Sequence, residues 1–202
     1  MLDAAAVQRH ADEVAAHAGG IDVVINAVAF SHVQGVGFAD LPYADFALPL
    51  ERYTRSNFHV VQAAQRHMSA GGVALLFSVP GARKVGPAFL GNGTAFAAVE
   101  AMTRLLAAEL GPRDIRVVCV RPDAIPEALD HGSHTTEVFA NMERATGTKV
   151  SAFLEGRARN ATMLGRLPTL ADVAEAAAFL ASPRARMMTG TVANLTGGSV
   201  VD

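Results

Sequence analysis

Cysteine is nearly absent. Cys119 is the only one in 202 residues, which excludes an internal disulfide framework and a cysteine-rich zinc site. It falls inside the apolar run "IRVVCV", where a lone thiol acts as a small buried hydrophobe. Charge is sparse as well: Asp, Glu, Lys and Arg make up 18% of the chain and the formal net charge is -2. With no basic block, that balance argues against a nucleic-acid surface and gives no sign of electrostatic attachment to a membrane. No apolar run approaches the roughly 18 to 20 residues that cross a bilayer. The opening "MLDAAAVQRHADEV" is amphipathic and charged, unlike a secretory leader, and a soluble cytoplasmic protein is expected. Lysine and tyrosine are scarce too, confined to Lys84, Lys149, Tyr43 and Tyr53.

What is abundant is apolar: half of the residues are hydrophobic. The length fits a single domain over residues 1–202 with a substantial core. Helical and strand patterns alternate. "LDAAAVQRHADEVAAHA" is rich in helix formers and stops at Gly19-Gly20. "IDVVINAVAF" reads as a strand buried on both faces. Residues 31–48 look like loop, and Pro49 suits the first turn of a helix running to about Met68. "GGVALLFSV" is a second buried strand, a helix over 92–110 follows, and "IRVVCVRP" is a third strand. Residues 123 to about 168 read as polar and irregular. "TLADVAEAAAFLAS" has Thr169 as N-cap, and "GTVANL" is a last strand. The alternation implies βαβ units and a parallel sheet covered on both faces. There is no internal repeat and no domain linker.

The ordered set "IDVVINAVA", "RSNFHVVQAA", "LLFSVPGA", "AAVEAMTRLLAAELGPRDIRVVCVRP" and "TGTVANLTGG" resembles the short-chain dehydrogenase/reductase family. The resemblance covers nearly the whole chain, in the family's order and spacing. It implies an α/β Rossmann-like parallel sheet with helices on both faces, an NAD or NADP cofactor, and homodimers or homotetramers. It also assigns residues. Asn26 and Ala27 match the start of the family's Asn-Asn-Ala-Gly turn beside the adenine side of the cofactor, with Ala29 where the family has glycine. Asn57 matches the helix asparagine that helps hold a proton-relay water, and Ser78 the serine that hydrogen-bonds the substrate oxygen. Pro122 matches the proline of the Pro-Gly turn near the nicotinamide, with Asp123 in place of the glycine.

The helix "NGTAFAAVEAMTRLLAAEL" departs further. In the family it begins Tyr-x-x-x-Lys, which puts both side chains one turn apart on one face. The register here places Asn92 at the tyrosine position and Phe96 at the lysine position. In family members the tyrosine exchanges the proton while hydride moves, and the lysine favours the phenolate and holds the nicotinamide ribose. Bringing a phenol from near 10 to near 7 takes about 4 kcal/mol. An amide has no usable proton to exchange and a phenyl ring gives no electrostatic help. Loss of a positioned general acid costs on the order of 10²- to 10⁴-fold in rate, so the family's ordinary mechanism cannot run as written. Lys84 lies in the loop between Ser78 and Asn92, where solvation is its default. Tyr53 sits one turn before Asn57, where packing is its expected job.

No strand followed by a glycine-rich phosphate turn occurs, and "GVGFAD" at 35–40 reads as loop. The first βαβαβ half, roughly 60 residues at 30 or more per βαβ unit, is apparently lacking. The favoured reading is a start at an internal methionine of a longer protein. The alternative is a true short form, which leaves the "IDVVIN" strand as an uncovered edge in need of a partner strand.

His131 and His134 have spacing that fits no strong metal motif, so no metal is expected. They suit the segment that forms a mobile lid in the family, where one of them could serve as a proton donor. Met142, Met163, Met187 and Met188 suit packing, and Arg83-Lys84 a solvated loop. The function expected is a carbonyl/alcohol oxidoreductase of NAD(P) type with an altered site: Ser78, Asn57 and Asn92 for the chemistry, and Asn26, Ala27, Phe96 and Pro122 toward the cofactor. Ordinary dehydrogenase activity is expected to be weak or absent. The alternative is a non-catalytic binding or assembly subunit.

Overall fold

A computed structural model describes the backbone of residues 1–202 and every side chain except those of residues 145 and 146. Strands β1 (Val23–Asn26), β2 (Val73–Phe77), β3 (Arg116–Pro122) and β4 (Thr191–Leu195) form one parallel sheet in the order β1-β2-β3-β4. Between and around them run α1 (Ala4–Ala18), α2 (Tyr43–Ala64), α3 (Leu90–Leu110), α4 (Thr135–Thr146), α5 (Val150–Ala161) and α6 (Leu170–Ala181).

Alternation along the strands sends side chains into two cores. Ala74, Leu76, Val117 and Cys119 face α2 and α3, where they join Tyr53, Phe96 and Val99. Val73, Leu75, Val118 and Val120 face α6, with Val173 and Leu180. Helices therefore cover both faces of the sheet, as the alternating pattern predicts. Cys119 is fully buried, and burial first, with the nearby Glu100 carboxylate second, pushes its thiol up to about 12.

Coverage stops at β1. Val23 and Ile25 pair with Val73 and Leu75, which puts them on the α6 face, but the strands on which α6 chiefly packs are β2 and β3. They stay 42% and 49% exposed, so the expectation of a strand buried on both faces fails there.

Two other expectations change. Helix α2 begins at Tyr43, well ahead of Pro49, with Pro42 at its N-cap. Helix α3 crosses tightly at that proline: a Cβ on Gly91 would lie 3.1 Å from the Phe46 carbonyl oxygen and 3.3 Å from Pro49 Cγ. The region read as irregular holds α4 and α5, polar helices with few apolar anchors, among them the Phe139–Phe153 ring contact at 5.9 Å and buried Leu154. The expected helix ends hold: Gly19 takes a left-handed conformation as C-cap of α1, and Thr169 caps α6 in a reciprocal box with Asp172. Among the described residues no helix is long and apolar enough to cross a membrane.

Candidate active site

The site forms where the strands end and α2 and α3 meet the loops. Asn26 closes β1 on the α2 face. Its Nδ2 donates to Asn57 Oδ1 at 2.8 Å and to Ser56 Oγ at 3.2 Å, and Asn57 Nδ2 donates to the Tyr53 carbonyl at 2.8 Å. Two of the expected residues are thus brought together. Asn26 Oδ1 is left buried with no hydrogen-bond partner, an unusual cost for a polar atom. Ala27 follows, exposed, and Pro122 ends β3 opposite Leu195.

Ser78 has other company. Its N–H donates to the Val120 carbonyl at 2.9 Å, its side chain is 1% exposed, and its hydroxyl donates to Glu100 Oε1 at 2.7 Å. Glu100 takes two further bonds from Arg121, at 2.7 and 2.9 Å, and Arg121 reaches Asp202 at 2.7 Å. Burial pulls Arg121 down, but its bonds to Glu100 and Asp202 outweigh that and raise it. Sequence reasoning passed over this network. Its signal was a carboxylate on the apolar side of the α3 pattern and an arginine in an otherwise apolar strand.

Asn92 lies buried in the first turn of α3. The turn after Ser78 presses on it: a Cβ on Gly81 would meet Asn92 Oδ1 at 2.8 Å, and one on Gly93 would meet the Gly81 carbonyl oxygen at 2.9 Å. Asn92 Nδ2 lies 2.8 Å from His32 Nε2, which also takes the Gln34 side-chain amide at 2.6 Å. His32 Nδ1 lies 2.9 Å from the Phe30 carbonyl. A carbonyl only accepts, so the ring proton sits on Nδ1 and the lone pair on Nε2 points at the two amides. Burial pushes His32 below the usual imidazole range, partly offset by the Phe30 bond. His134 stands 6.2 Å away, ring to ring, and is lowered by burial and then by His32. His32 was missed in the sequence because its loop has no periodicity and its partner is distant in the chain.

Phe96 packs into the core against Tyr53, 4.5 Å between ring centres. Tyr53 also meets the Phe30 ring at 5.3 Å and exchanges bonds with the Phe30 backbone at 3.2 and 3.3 Å. Burial raises its phenol above the usual range, so it packs rather than titrates near neutrality. Lys84 is exposed. Asp123, in place of the turn glycine, takes bonds from Ala124 N–H, Arg157 and Ser199, which neutralise its charge and tie α5 to the end of β3. Among the described residues no cluster suits a metal ion.

A parallel sheet flanked by helices, with polar residues gathered where its strands end, is the architecture of a Rossmann-type protein. A family profile described as Enoyl-(Acyl carrier protein) reductase matches residues 1–199, and the chain belongs to the short-chain dehydrogenase/reductase family. Elsinochrome reductase 1 of Elsinoe fawcettii is 28% identical over 192 residues, covering 93% of this chain and 68% of that protein. Enoyl-[acyl-carrier-protein] reductase [NADH] 2 of Rhizobium meliloti is 29% identical over 199 residues, covering 97% and 68%. Among solved structures, a short-chain dehydrogenase from Burkholderia cenocepacia in complex with NADP has a TM-score of 0.74 at 25% identity, covering 98% of this chain and 73% of that one.

Of the residues that the family resemblance directs toward a cofactor, one carries a structural sign of an absent partner at the end of β1. Asn26 Oδ1 is a buried acceptor left for a ligand N–H or O–H. Phe96 is turned into the core, and the Asp123 carboxylate is paired with Arg157.

Proposed function

We propose that this chain is a nicotinamide-dependent oxidoreductase acting on a carbonyl or alcohol, in which the lost tyrosine–lysine pair leaves ordinary dehydrogenase turnover weak or absent. The observation that carries this reading is the head of α3, where the Asn92 amide is spent on His32 and the Phe96 ring on Tyr53. Neither group can give up a proton or hold a phenolate.

In this reading Asn26, Ala27 and Pro122 border the cofactor, with Phe96 behind them. Asn57 fixes Asn26, and Asn92 meets the substrate oxygen. Ser78 acts through Glu100, which it braces. The cofactor, when bound, supplies hydride exchange; the chain supplies position and the exclusion of water. Calorimetric titration with NAD(H) and NADP(H) tests the reading. Micromolar binding with slow turnover on ketones and secondary alcohols is the expected result, and no binding of either cofactor would sink it.

A second reading, a non-catalytic binding or assembly subunit, is favoured by the apolar residues left in water: Val23 and Ile25 on the sheet edge, Phe58 on α2 and Leu105 on α3. An uncovered apolar sheet edge is an association hazard. A homodimer or homotetramer formed through α2 and α3 suits either reading. Sedimentation velocity on the wild type and Leu105→Glu measures it.

A further inference from the structure

We propose that His32 is the group that moves the proton in this site: its Nε2 takes the hydroxyl proton of a bound secondary alcohol, and the imidazolium returns it to a carbonyl oxygen in the reverse direction. The inference rests on the oxidoreductase reading above.

Three observations carry it. First, Nε2 lies 2.8 Å from the side chain that occupies the family's tyrosine position, within the reach a general base needs. Second, the ring is oriented. The Nδ1–H bond to the Phe30 carbonyl at 2.9 Å fixes the tautomer whose free lone pair is on Nε2. Third, that lone pair is over-subscribed, with two amide donors, from Asn92 and Gln34, converging on it. One lone pair accepts one donor well, so a hydroxyl can displace an amide at little cost. The displaced Asn92 N–H then stands beside the incoming oxygen and holds it.

The groups facing His32 leave it neutral. His134, just before α4, carries no charge near pH 7, since burial lowers it. Tyr53, from α2, stays protonated. Glu137 of α4 bonds Ser31 rather than the imidazole. A neutral imidazole with a lowered proton affinity is a base at pH 7 and, once protonated, a strong acid. Atoms balance as follows: the substrate O–H bond breaks and an Nε2–H bond forms, the carbon–oxygen bond becomes double, and the hydride goes to an oxidised nicotinamide dinucleotide. His32 ends as imidazolium and loses its proton to solvent.

The experiment uses the full chain with cyclohexanol and cyclohexanone as probes. Cofactor affinity is read by calorimetry, turnover by nicotinamide absorbance, and the His32 ring by nitrogen NMR. Slow turnover that falls on the order of 100-fold in His32→Gln, with cofactor affinity within twofold of wild type, supports the proposal. So does an oxidation rate that rises with pH through the NMR midpoint of His32 and then levels. Gln34→Ala, which removes one of the two donors competing for the lone pair, is expected to raise turnover several-fold, and this arm stands even if His32→Gln folds poorly. Cofactor binding with no turnover, or with turnover indifferent to both substitutions, overturns the role of His32 and leaves the oxidoreductase reading intact. If no cofactor binds, that reading fails and the proton transfer by His32, which needs the hydride acceptor, is overturned with it.

Discussion

Arg121 and Glu100 meet through paired bonds of 2.7 and 2.9 Å, with the arginine side chain 0% exposed. The pair joins α3 to β3 under the sheet's end, and Ser78 and Asp202 complete its hydrogen bonding. Charges this deep are held only because each is met.

Breaking the pair from one side should therefore be costly. Arg121→Met leaves the Glu100 carboxylate buried and unmet, and about 3 to 5 kcal/mol of stability should be lost. The double variant Arg121→Met/Glu100→Leu, apolar at both places, should recover most of that. Urea unfolding of the four proteins in the cycle measures it. Additive losses would show that the pair is not coupled.

Phe96 is expected to be a core residue before anything else. Phe96→Ala should cost about 3 to 5 kcal/mol. Phe96→Lys, which restores the family's residue type, should cost no less, because an ammonium would replace a ring among Tyr53, Val99 and Leu76. Thermal unfolding ranks them, and a Phe96→Lys variant as stable as wild type would show that the position already opens to water.

Stability should depend on pH in a defined window. His32 and His134 both lie below the ordinary value of 6.5. Between that value and the depressed one, the unfolded chain binds more protons than the folded one, so stability rises with pH there. It should be full above pH 6.5 and fall as pH drops through the depressed range. His32→Gln should flatten part of that fall. Denaturant midpoints from pH 5 to 8 check the sign.

Asp123→Gly restores the turn glycine of the family and removes the bonds to Arg157 and Ser199. Helix α5 should then exchange its amide hydrogens faster, by on the order of tenfold for each 1.4 kcal/mol lost, while α3 stays unchanged. Uniform loss of protection across both helices would mean that the aspartate supports the whole fold instead of α5 alone.

The legible parts of this molecule were those written in periodic or capped segments. The four strands, the limits of α1 and α3 and the Thr169 cap follow from short-range pattern. What escaped depends on contacts that no local pattern carries. Pro49 argued for a helix start, but α2 begins at Tyr43, and α3 packs on its first turns through Gly91. The α4 and α5 segments hid their helices behind polar composition. His32 came to the site through a loop, and Ser78 found Glu100 across the space between a strand end and a helix. In each case tertiary packing decided the outcome, and local propensity had no say in it.

Cys119 gives the molecule a built-in clock. Its sulfur lies under the middle of the sheet, and with the thiol held up to about 12 almost no thiolate exists at pH 8 while the fold is closed. An alkylating reagent can label it only during the moments when the core under α2 and α3 opens. With no second cysteine in the sequence to compete, the labelling rate of the native chain is a direct count of how often its centre opens.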